Sequence, residues 1–123
     1  FALSFIRFRG EDLDGGTPAG EDVPLKVTVL TANLDAAALS ALDFDLAEDA
    51  GNGGIDQRGG LSRNVLNDPK KGFTSIQRGG LKLSALPTDP GQRFTGSLHV
   101  TFDPGIEVSS GRTLFGNFTA VNP

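Results

Sequence analysis

The side chains best equipped for chemistry in this 123-residue chain are carboxylates. Asp43, Asp45, Glu48, Asp49 and Asp56, with Asn52 among them, gather hard oxygen donors beside a glycine-rich stretch, GNGGID, at residues 51–56. Calcium takes about six to eight such oxygens in flexible geometry, so segment 43–56 is the candidate metal site. The spacing departs from an EF-hand loop, because Glu48 stands where the sharp-turn glycine belongs and the distal glutamate is missing. Paired carboxylates could also hydrolyse a glycosidic bond. The aromatic platforms that usually hold a sugar in such clefts are absent, since the chain has no Trp and no Tyr.

Other catalytic groups are scarce. There is one histidine, His99, and it alternates with Thr95, Ser97 and Thr101 on the polar side of its segment. A general base needs a hydrogen-bonded partner and often a third group to orient it. Nothing in the sequence marks a nucleophile elbow, an HExxH pair, a P-loop or a dinucleotide-binding GxGxxG. The cysteine count is zero, which removes thiolate nucleophiles, disulfides and cysteine–zinc sites. The expectation is a protein without catalytic residues and without a cofactor, Ca²⁺ at 43–56 excepted.

One short motif occurs twice. Gln57–Leu61 and Gln77–Leu81 both read QRGGL; each is followed by Leu66 or Leu86 and then by Asp-Pro at 68–69 or 89–90. Gly-Gly between apolar residues is a hairpin signal, because both positions tolerate positive φ. Two hairpins with tips at Gly59-Gly60 and Gly79-Gly80 are therefore predicted. Arg58 and Arg78 would flank those tips as matched anion or partner contacts.

Charge is distributed unevenly. Residues 10–57 carry eleven acids against Lys26 alone, whereas residues 58–123 carry eight bases against four acids. Arg7 and Arg9 add two further bases, and the whole chain sums to −4. Such polarity suits a soluble acidic surface or head-to-tail attraction between copies. Glu11, Asp12 and Asp14, in the long Gly/Pro-rich stretch 10–22, are the expected acidic partner surface, opposite Arg58 and Arg78. The bases are dispersed and have no Tyr or Trp beside them, which argues against nucleic acid. No apolar run reaches the roughly 20 residues of a membrane span.

The elements that must position these groups are short. Glycine (17) and proline (7) make up about a fifth of the chain and leave little room for long helices. Residues 1–9, 25–31, 93–102 and 112–121 alternate as strands, with either a bulge where Phe5 gives way to Ile6 or a first strand buried on both sides. Residues 106–108 read as a further short strand between turns at 103–105 and 109–111. Segment 33–47 has both periods. It is read as one or two helical turns over 35–40, capped by Asn33 or Asp35, followed by an edge strand over 42–46. Val27–Val29 (VTV) followed by Leu42–Leu46 (LDFDL) resembles the early strands of cohesin-like sandwich modules of bacterial surfaces. The tyrosine-bearing acidic turn of such modules is absent, and no family is assigned on this stretch.

These readings converge on an all-β fold. The expectation is one domain over residues 1–123, an antiparallel β-sandwich or jelly-roll of about seven to eight short strands with at most one short helix near 35–41. Its expected role is non-catalytic: an interaction or assembly module of a cell-envelope, secreted or particle-surface protein, placed outside the cytoplasm. A protein partner or self-association is expected. The alternative is a small-ligand or glycan-binding domain aided by Ca²⁺ at the acidic segment.

Overall fold

A computed structural model describes residues 1–8, 21–51, 56–65, 68–106 and 109–123. The described chain is antiparallel β throughout, with one helical turn. Strands β1 (Ala2–Phe8), β2 (Glu21–Val29), β6 (Gly59–Val65) and β7 (Asp68–Gly72) form a first sheet in the order β1-β2-β6-β7. Strands β10 (Thr113–Val121), β9 (Arg93–Phe102), β8 (Ile76–Leu83) and β3 (Asp43–Asp45) form a second, in the order β10-β9-β8-β3. A small ribbon pairs β4 (Asp49–Gly51) with β5 (Asp56–Gln57). Among the described residues no helix is long and apolar enough to cross a membrane.

Alternation decides which face of each strand is buried. Val27 and Val29 of β2 and Leu61 of β6 point inward from the first sheet. Leu81 and Leu83 of β8 meet them from the second, with Phe94, Leu98, Val100 and Phe102 of β9. The two sheets thus share one apolar core, the sandwich arrangement that period-two patterning requires. Ring contacts show how they cross. Phe1, just before β1, packs edge-on against Phe44 of β3, and Phe5 of β1 packs edge-on against Phe118 of β10. Four extended residues span about 13 Å, close to the width of four strands spaced about 4.8 Å apart. β1 therefore runs across the second sheet's strands rather than along them.

The ambiguous segment resolves into both of its periods. Helix α1 (Ala36–Ser40) begins at Asp35, whose carboxylate accepts the Ala38 N–H at 2.7 Å, as an N-cap should. Leu42 then takes a left-handed φ of 57° and ends the helix. β3 follows as an edge strand with Phe44 buried between exposed Asp43 and Asp45. A bulge in the first strand falls between Phe5 and Arg7.

Several expectations are corrected. Gly59-Gly60 and Gly79-Gly80 are not hairpin tips; both pairs lie inside strands, β6 and β8. The glycines answer to close approach instead of turning. A Cβ on Gly59 would sit 2.5 Å from Leu46 Cβ, and one on Gly79 would sit 2.1 Å from the His99 carbonyl oxygen. Gly79 also holds φ +131°, beside the β8 register shift between Ile76 and Arg78. Of the short strand expected over 106–108, Ile106 lies in a bend, fully exposed, and 107–108 are outside the described residues. Phe115 is 74% exposed, whereas Leu114 and Phe118 on either side pack inward. Thr101 is buried, and its hydroxyl pairs with that of Thr113 at 2.9 Å.

Candidate functional site

The candidate site is the outer face of the second sheet. Pairing registers set its rows: Asp45, Gly80, His99 and Phe115 lie side by side across β3, β8, β9 and β10. Asp43, Lys82, Ser97 and Asn117 form the neighbouring row. Because side chains alternate along a strand, both rows project away from the core. Gly80 carries no side chain, so the face is notched between Asp45 and His99. An open groove of about 740 Å³ results, lined by Asp43, Asp45, Arg78, Lys82, Ser97 and His99 among others. A shallower depression continues from Ser97 and His99 over Phe115 and Asn117.

Its electrostatics are mixed and well solvated. Carboxylates from the edge strand face cations from β8, and Lys82 Nζ lies 4.0 Å from Asp43 Oδ2, with both side chains more than half exposed. Such a pair contributes about 0–1 kcal/mol and stays free to exchange partners. His99 meets the Phe115 ring edge-on at 5.9 Å between centroids. Among the described residues it has no hydrogen-bond or ion-pair partner, so no nucleophile–base pair is assembled there. The arrangement can offer hydrogen bonds, charges of both signs and one exposed aromatic ring to a bound surface.

The sequence candidates are distributed as follows. Arg78, Asp43 and Asp45 belong to this face. Arg58 does not: its side chain is 4% exposed, and it is a structural clamp rather than a solvated turn residue. Its Nε donates to Glu48 Oε1 at 2.8 Å, while Nη1 donates to the carbonyls of Leu30 and Ala32, each at 2.7 Å. Gln57 beside it is a second clamp. Its amide donates to the Ala47 and Ile76 carbonyls and accepts the Ile76 N–H, tying the ribbon to the start of β8. In the second copy of the motif, Gln77 and Arg78 are exposed, and among the described residues their side chains bond only each other, at 3.3 Å. Identical pentapeptides thus serve different ends: Arg58 is buried and Arg78 is exposed.

The acidic segment is likewise dispersed. Asp45 accepts the Ala47 N–H, Asp49 accepts the Gly51 N–H, and Glu48 is engaged with Arg58. Asp56 lies exposed in β5, with a partner of its own. Among the described residues no three His, Cys, Asp or Glu side chains are grouped to hold a metal ion. Asn52, Glu11, Asp12 and Asp14 lie outside the described residues. Sequence reasoning missed Phe115 and Asn117 as members of the face; the signal was there in their alternation with Leu114 and Phe118. The chain matches no protein-family model, no curated protein and no solved structure.

Proposed function

We propose that this protein is a non-catalytic interaction module that binds a protein partner along the outer face of its second sheet. The observation that carries this reading is the open groove across β3, β8 and β9, continuous with an exposed Phe115. Small-molecule sites enclose most of their ligand's surface, whereas an open, notched sheet face suits an extended partner surface. A solvent-exposed aromatic beside charges of both signs is the composition of an interface centre with its polar rim. Placement outside the cytoplasm, at a cell envelope, in the medium or on a particle surface, belongs to the same reading. It rests on a cysteine-free, turn-rich sandwich with a net charge of −4.

Photo-crosslinking amino acids at Phe115 and, separately, at Lys26 on the first sheet test the reading in the producing cell. Cross-links at 115 to a different protein that are absent at 26 support it; equal labelling at both positions, cross-links only to another copy of this chain, or none at either, sinks it. Fractionating the same cells tests the placement, which recovery in the cytoplasm alone would remove.

A second reading has its own observation. Phe115 with Ser97 and Asn117 beside it offers an apolar ring flanked by hydrogen-bonding groups, which suits one face of a sugar. Retention on an immobilised glycan that is lost in Phe115→Ala would favour it over a protein partner.

A further inference from the structure

We propose that the open edge of β10 is a homodimer interface. A second copy would add its own β10 antiparallel about a twofold axis at Asn117, making one continuous eight-stranded sheet.

The edge is available. Among the described residues β10 pairs only with β9, through nine successive residue pairs with no register shift. The bonds from Phe102 N to Arg112 O and from Asn122 N to Gln92 O, both 2.9 Å, set the phase of that ladder. Even-numbered residues of β10 therefore turn their backbone groups toward β9. Thr113, Phe115, Asn117, Thr119 and Val121 turn theirs outward. Among the described residues, no other backbone group meets them.

The other three edges of the two four-stranded sheets are blunted, and β10 is not. β3 is three residues long and carries Asp43 and Asp45. β1 is broken by its bulge, and β7 reads DPKKG, with a proline and two lysines. These are the devices by which sheets avoid edge-to-edge pairing. β10, TLFGNFTAV, has nine residues, no charge and no proline. It also carries two of the large apolar side chains left exposed, Phe115 at 74% and Val121 at 54%.

The strand is complementary to itself. With Asn117 opposite its own copy, Thr113 faces Val121 and Phe115 faces Thr119 on the outer side. Aromatic and β-branched pairs of this kind stabilise cross-strand contacts. On the inner side Leu114 faces Ala120, and Phe118, the largest inward residue, faces Gly116, the smallest. No like charges meet. Each outward pair would exchange two backbone hydrogen bonds, and the grooved faces of the two copies would become one. This pairing goes beyond the groove's function and does not depend on what the groove binds.

The chain has no cysteine, so one introduced thiol reports cleanly. Opposed residues of a hydrogen-bonded pair lie about 5.5 Å apart at Cα, within disulfide reach. Asn117→Cys should cross-link to a covalent dimer under mild oxidation, and Lys26→Cys should not. Light scattering of the unmodified chain should rise with concentration toward twice 12.8 kDa. Asn117→Pro removes the outward N–H without breaking a ladder bond to β9, and Thr119→Lys adds a charge to the edge. Both should return the mass to that of the monomer with the circular dichroism spectrum unchanged. A monomer at every concentration overturns the proposal. So does a dimer indifferent to both edge variants, or an edge that binds only a strand of another protein.

Discussion

Arg58 and Glu48 are joined twice. The Arg58 N–H donates to the Glu48 carbonyl at 2.8 Å, and its Nε donates to the Glu48 carboxylate, also at 2.8 Å. The two ends of this pair are unequal, because the arginine side chain is 4% exposed and the glutamate 43%. Arg58→Ala strips the Leu30 and Ala32 carbonyls of their donor and should cost about 3 kcal/mol. Glu48→Gln keeps those bonds and should cost about 1 kcal/mol. Urea unfolding midpoints of the two variants test the ranking; equal costs would contradict it.

The repeated glycines separate in the same way. Gly79→Ala forces a Cβ against the β9 backbone at an unfavourable φ and should destabilise by about 3 kcal/mol. Gly60 has open space around its would-be Cβ, so Gly60→Ala should stay within about 0.5 kcal/mol of the parent. Thermal melts of both proteins decide the matter.

Neighbouring phenylalanines on β10 should behave oppositely. Phe118 packs against Phe5 of the facing sheet, and Phe118→Ala should cost about 2 kcal/mol. Phe115→Ala should leave folding stability within about 0.5 kcal/mol when measured on monomer, because the ring is mostly in water. Loss of partner binding in a pull-down, without loss of stability, is the expected signature at position 115.

Calcium should not stabilise the described fold. A ligand that binds only the native state raises stability by RT ln(1 + [L]/Kd). With Asp45, Glu48 and Asp49 committed to separate partners, millimolar Ca²⁺ should shift the melting temperature by less than about 1 °C. A larger, chelator-reversible rise would restore the acidic segment as a metal site.

Much of this architecture could be read from residue types alone, and the failures have physical reasons. β2, β9 and β10 were legible because apolar and polar residues alternate with period two. Segment 33–47 was legible because Asp35 can cap a helix and Phe44 alternates with Asp43 and Asp45. The QRGGL pairs misled because glycine satisfies two demands, positive φ and close approach, and only the fold shows which applies. Burial of Arg58 depends on carbonyls more than 25 residues away in sequence, at Leu30 and Ala32. The carboxylates looked like a cluster because they are adjacent in sequence. Local turns at Asp45 and Asp49 turn their oxygens back onto their own backbone instead. Of the candidate face, Asp43, Asp45, Arg78 and His99 were singled out for other reasons. Their assembly in adjoining rows needed the strand order.

Leu46 belongs to neither sheet, yet its N–H donates to Gly79 of β8 and its carbonyl accepts the N–H of Gly59 of β6. One fully buried residue therefore completes the hydrogen bonding of both sheets at once. Neither sheet can open at this corner without exposing groups of the other. The sandwich should accordingly unfold as a single cooperative unit, with the amides of Leu46 and Gly59 among the slowest in the chain to exchange with solvent.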